Sequence, residues 1–121
     1  MHRNHKAYLA DILDAIDRIE KMTSGMDFAK FSSDLIVQDA VVKNLLVIGE
    51  AVKSIPARKR AGFEDVEWRK IAGLRDVLIH AYFNIDNRIL WDVIQHKFAE
   101  LKNAAAAMIA EGGNNHGKLS K

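Results

Sequence analysis

One proline and seven glycines in 121 residues leave little to interrupt a helix, and the apolar residues recur at helical spacing wherever the chain is free of them. Leu9, Ile12, Leu13, Ile16 and Ile19 fall at intervals of three and four, which predicts an amphipathic helix over 4–22. Thr23-Ser24-Gly25 breaks it. A short helical turn around Asp27–Phe31 is predicted to tuck Phe28 and Phe31 inward. Ser33 or Asp34 can cap the next helix, whose stripe is Val37, Val41, Leu45, Ile48, Val52 and Ile55. Pro56 stops that helix, because the residue before proline avoids the helical region. Ala57-Arg58-Lys59-Arg60 is then a basic loop or a single turn.

Asp65 is the expected N-cap of a further helix, with Ile71, Leu74, Leu78 and Ile79 on its buried side. Asn84 to Asp86 punctuate it, and Asp86 can cap a last long helix over about 87–110. Leu90, Ile94, Phe98, Leu101, Ala105 and Met108 line one face of that helix. Gly112-Gly113 is expected to end it, leaving 1–111 as one domain and 112–121 as a flexible polar tail. No internal repeat and no strand-like alternation is visible. Long helices with short connections predict an all-α fold, an antiparallel bundle of four to five helices.

Composition narrows the function classes. With no cysteine, disulfides and thiolate metal sites are excluded, which fits a cytoplasmic protein. The first residues mix charge into their apolar pattern, unlike a signal peptide, and no apolar run approaches a membrane span. A net charge of +2 permits a polyanionic partner without demanding one.

The residues that point to chemistry are Arg75-Asp76-Val77-Leu78-Ile79-His80-Ala81-Tyr82. Arg75 is an always-charged phosphate ligand, and His80 is a side chain that titrates near neutrality. Together they suffice to cleave RNA without a metal. The Arg neutralises charge on the phosphate, the His moves protons, and RNA supplies its own 2′-hydroxyl nucleophile. By chance Arg-x4-His arises in roughly one chain in ten of this length, and the form with Tyr two residues on in well under roughly one in a hundred. The plain alternative is a surface cation, a helix-capping histidine and a core aromatic with a wet tip.

Helical geometry qualifies the motif. Residues five apart differ by about 140° in direction, so Arg75 and His80 do not share a face, whereas Asp76 and His80, four apart, do. Asp76 is thus placed to accept a hydrogen bond from His80 and fix its tautomer. Gathering Arg75 and His80 on one phosphate requires the helix to fray, the Arg arm to curl, or two copies to face each other across a symmetric contact.

With its surroundings, the motif resembles the HEPN superfamily and, within it, the HepT-like group. Matching parts are Tyr8-Leu9-x-x-Ile12-Leu13-x-x-Ile16, Gly25-Met26 before Phe31, and Ala40-Val41 leading to Ile48-Gly49-Glu50-Ala51. Trp68-x-x-Ile71-Ala72-Gly73-Leu74 precedes Arg75, and Leu90-Trp91 follows in the last helix. The likeness covers about residues 5–101. It implies a symmetric homodimer with the Arg-x4-His motifs meeting at the interface. It also implies a metal-independent endoribonuclease toxin with Arg75 and His80 catalytic, Asp76 supporting, and no cofactor. The implied partners are RNA and an MntA-like minimal nucleotidyltransferase antitoxin that adenylylates Tyr82. An AMP there adds bulk and negative charge near Arg75.

Two other functions compete. One is a non-catalytic nucleotide-binding or adaptor bundle beside a nucleotidyltransferase, suggested by the slight net charge and by Asp76. The other is a structural oligomerisation bundle with an accidental motif. Among remaining residues, Gly49 reads as a close helix approach, Glu50 as a solvated glutamate in preference to one that orients a catalytic group, and Trp68 and Trp91 as core. The pairs His2/His5 and Asp92/His96 are weak metal candidates, and Arg58, Lys59 and Arg60 are solvated cations or contacts to an RNA backbone.

Overall fold

The computed structural model describes residues 4–80 and 85–119, with side chains as far as 111. Within them lie seven helices and no strand: α1 (His5–Thr23), α2 (Phe28–Ser32), α3 (Leu35–Lys53), α4 (Ala57–Arg60), α5 (Trp68–His80), α6 (Asn87–His96) and α7 (Phe98–Leu119). The all-α architecture matches the expectation. No helix among the described residues is long and apolar enough to cross a membrane.

Side chains that satisfy orphan backbone donors set the helix starts. Asn4 accepts from the Lys6 amide, Asp27 from Lys30, Asp34 from Val37 and Asp86 from Arg88. Asp34 rather than Ser33 therefore caps α3. Gly25 takes φ 78°, a left-handed conformation that lets the chain leave α1. Helix α3 runs through the centre, packed on α1 and α5, while α1 also packs on α7. Leu9, Ile12, Ile16 and Ile19 from α1 meet Val41, Leu45, Ile48 and Val52 from α3, all essentially inaccessible to water. Each such side chain contributes about 1.5–3 kcal/mol of apolar transfer. Trp68 anchors the α4–α5 connection, its indole N–H donating to the carbonyls of Arg60 (3.1 Å) and Phe63 (3.0 Å).

Several expectations are corrected. Helix α5 begins at Trp68, its first full-turn bond running from the Ile71 amide to the Glu67 carbonyl, so Asp65 is not its cap. Ile79 is 44% exposed, because α5 packs chiefly against α3 and presents its other flank to solvent. Phe28 is only partly covered, lying 6.5 Å from the Trp91 ring, whereas Phe31 is fully buried at 5.2 Å from it. The last long helix is two helices. Lys97 departs to φ −110° between them, and its side chain crosses to Glu67 at the start of α5. Helix α7 also continues through Gly112 and Gly113 to Leu119. Glycine disfavours a helix by about 1 kcal/mol but does not forbid one, so the helix does not stop at the glycines. The expected break at Asn84 lies outside the described residues.

The Glu67 contact gives a test of the packing. Hydrogen bonds from Lys70 and then Lys97 hold the Glu67 carboxyl at about 2, down from its ordinary 4.5. A folded value below the unfolded one means the stabilisation is present above about pH 4.5 and is lost as pH falls toward 2. Lys97→Gln is expected to flatten the fall in melting temperature over that window. Equal slopes in the parent and the variant would show that the tie does not hold α5 to the α6–α7 joint.

Candidate active site

Arg75, Asp76 and His80 occupy the C-terminal half of α5, and His80 is its last residue. The His80 ring folds back along its own helix, with Nδ1 2.7 Å from the Asp76 carbonyl oxygen. A carbonyl can only accept, so Nδ1 carries a proton and Nε2 is the nitrogen left for chemistry. The expected Asp76–His80 contact therefore exists, but through the backbone. The Asp76 carboxylate turns instead to Arg75, Oδ1 to NH1 at 3.3 Å. Tyr82 lies outside the described residues.

Arg75 leans the other way, toward α3. Its Nε lies 2.7 Å from Glu50 Oε2, with the Arg75 side chain 34% exposed and that of Glu50 60%. What brings the two helices this close is Gly49. A Cβ built there would lie 2.9 Å from the Arg75 Cβ and 3.5 Å from the Ile71 carbonyl oxygen. Only a residue without a side chain lets α5 cross α3 at this point, and the next residue, Glu50, then meets the arriving guanidinium. The reading of Gly49 as a helix-packing residue stands. Glu50, for which a solvated glutamate was preferred over an orienting one, is the partner of Arg75. The signal for it was the Gly-Glu pair in mid-helix, since a glycine that admits a second helix places its neighbours beside that helix.

Arg75 and His80 thus engage different partners, in agreement with their divergent directions on an ideal helix. Around Arg75 runs an open groove of 560 Å³ between α1, α3 and α5, lined by Tyr8, Lys43, Val47, Glu50 and Ile79 among others. A neighbouring groove of 570 Å³ shares Lys43, Leu46 and Ile79. Val47 and Ile79, which line the first groove, are 39% and 44% exposed. A more enclosed cavity of 190 Å³ lies between α3, α5, α6 and α7, walled by Leu45, Ile48, Ile71, Leu74 and Val93. It contains neither Arg75 nor His80, and its charged lining is Glu67, Lys70 and Lys97, whereas the open groove holds Arg75 without His80.

The other candidates are accounted for structurally. Trp68 and Trp91 pack in the fold. Arg60 Nε donates to the Ile55 carbonyl at 3.1 Å, leaving Arg58 and Lys59 as the solvent-facing part of α4. His96 Nε2 is 3.9 Å from Asp92 Oδ1, and no third His, Asp or Glu joins them among the described residues.

Residues 12–108 match the family described as "Ribonuclease HepT-like". A Thermococcus cleftensis protein named "Probable ribonuclease HepT" is 43% identical over 102 residues, covering 84% of this chain and 93% of its own. A Methanocaldococcus jannaschii protein named a "Putative RNase" is 37% identical over 109 residues, 90% and 94% of the two chains. A similarly named protein of Caldanaerobacter subterraneus subsp. tengcongensis is 38% identical over 97 residues, 80% and 87%. No solved structure matches the chain.

Proposed function

The chain belongs to the ribonuclease HepT-like family, and on that premise we propose that it is a metal-independent endoribonuclease, the toxin of a toxin–antitoxin pair acting in the cytoplasm. The observation that carries this reading is the 2.7 Å bond from His80 Nδ1 to the Asp76 carbonyl. It fixes the tautomer in which Nε2 can take a proton, five residues from an arginine positioned by a second helix.

The catalytic unit is a symmetric homodimer. Arg75 and His80 diverge within one chain, and the exposed Val47 and Ile79 beside Arg75 supply an apolar surface for a second copy. One His80 accepts the 2′-hydroxyl proton at Nε2 as the 2′-oxygen attacks the adjacent phosphorus. The partner's His80, as imidazolium, gives a proton to the departing 5′-oxygen. Arg75 neutralises the charge that builds on the non-bridging oxygens. The products are a 2′,3′-cyclic phosphate and a 5′-hydroxyl, so the balance closes without a metal or water.

Neutralisation follows the same electrostatics. A minimal nucleotidyltransferase transfers AMP from ATP to the Tyr82 hydroxyl with loss of pyrophosphate. The added phosphodiester, two residues beyond His80, repels the RNA backbone. The test is cleavage in excess EDTA by protein made without any nucleotidyltransferase, with the product ends identified. Cyclic-phosphate ends are the expected outcome, and cleavage that stops in chelator removes the metal-free mechanism. A second reading, a nucleotide-binding adaptor, draws on the two carboxylates already paired with Arg75. It predicts saturable nucleotide binding without strand scission.

A further inference from the structure

We propose that Glu50 is a positioning residue for the ribonuclease reaction, holding the Arg75 guanidinium so that its outer edge meets the RNA phosphate; the inference rests on the reading of this site as a ribonuclease. Glu50 Oε2 takes the Nε–H of Arg75 at 2.7 Å. That engages the inner edge of the guanidinium, while NH1 lies 3.3 Å from Asp76 Oδ1, a carboxylate the phosphate would replace. A phosphate is recognised bidentately by two parallel N–H groups, so fixing one edge decides where the other points. An arginine on four rotatable bonds otherwise acquires that orientation only on binding, at an entropic cost.

Stability does not account for the pair. With Glu50 60% exposed, an ion pair here adds little to the fold. Its placement is nevertheless imposed by the fold, because Gly49 brings the two helices within a 2.9 Å Cβ approach one residue earlier. The same carboxylate opposes RNA by its charge. Glu50 therefore gains orientation for the transition state at the expense of affinity for the polyanion. That combination separates it from a residue that merely binds or merely supports.

Glu50→Ala and Glu50→Gln test the assignment in chelator, with kcat and KM measured apart. Alanine is expected to lower kcat by about ten- to a hundredfold. Glutamine, whose amide oxygen still accepts from Nε–H, is expected to recover most of that loss. Glutamine is also expected to bind a 2′-O-methyl oligonucleotide, which has no nucleophile, about threefold tighter than the parent. In NMR the Arg75 Nε–H signal is expected to be protected from exchange in the parent and in Glu50→Gln, and lost in Glu50→Ala. A parental kcat in the alanine variant overturns the proposal, as does a glutamine variant no better than alanine or an Nε–H signal unchanged by alanine. Melting curves identify a variant that fails to fold, and the glutamine arm then decides. A parent that cleaves no RNA overturns the proposed function instead, while the Nε–H signal still decides whether Glu50 holds Arg75.

Discussion

Arg75→Ala and His80→Ala are each expected to lower RNA cleavage by about a hundred- to a thousandfold, the usual consequence of removing one group aimed at charge or proton movement in the transition state. Neither side chain is part of the core. Arg75 is one-third exposed and His80 lies at a helix end with its ring bonded only to its own helix. Both variants should therefore melt close to the parent, which separates lost chemistry from lost fold. Mixing the parent with an excess of His80→Ala is more decisive. If one cleft uses His80 from both protomers, a mixed dimer holds one intact His80 and lacks either the base or the acid. Activity per parental chain should then fall as subunits exchange. If each chain cleaves by itself, activity per parental chain stays unchanged. Single-turnover cleavage of an end-labelled RNA in EDTA, with dimerisation followed by sedimentation, gives the answer.

That arrangement also explains which parts of the site were readable from the residues. The stripe Leu9, Ile12, Ile16, Ile19 and the stripe Val41, Leu45, Ile48, Val52 are buried as their spacing predicts, because a helix that packs on both sides must keep its apolar period. Asp34 and Asp86 act as caps because capping is local, decided within three residues. The break at Lys97 was hidden for a related reason. Leu90, Ile94, Phe98 and Leu101 keep the same intervals across it, so a one-residue interruption leaves the apolar period unchanged. Ile79 was misplaced because it fits the α5 pattern, while the packing of α5 chiefly on α3 leaves that flank open.

Within the site, the Arg75–His80 divergence followed from helix geometry alone. The bond between His80 and Asp76 was expected four residues apart, and it occurs, but the backbone carbonyl of Asp76 accepts it in place of the carboxylate. A carbonyl oxygen has two lone pairs, so it can accept from the ring in addition to a backbone amide. For Glu50 an orienting role was only the less favoured reading, and no such rule names Arg75 as its partner. Its role depends on where α3 and α5 cross, a tertiary fact for which the sequence offers a single trace, the glycine before it.

Gly49 is therefore where fold and chemistry are set together, and substitutions there are expected to separate from ordinary core changes. Alanine at 49 gains about 1 kcal/mol of helix propensity. It also places a Cβ 2.9 Å from the Arg75 Cβ, a contact rigid on both sides because each atom is fixed to a helix backbone. Overpacking of this kind costs about 1–3 kcal/mol, so Gly49→Ala should be neutral to moderately destabilising. Valine adds two further carbons at the same crossing and loses the propensity gain, so it should lie at or beyond the upper end of that range. At about 4–8 °C of melting temperature per kcal/mol for a domain near this size, the difference between the variants is measurable. Relief of the contact moves α5 away from α3, and with it the Arg75 guanidinium from Glu50. Cleavage by Gly49→Ala, assayed well below its melting temperature, should then fall by more than its stability accounts for, whereas a substitution of equal stability effect elsewhere, such as Ile16→Val, should leave cleavage near the parental rate. Equal cleavage in Gly49→Ala and the parent would mean that Arg75 finds its phosphate whatever the helix spacing, and the crossing of α3 and α5 would then serve the fold alone.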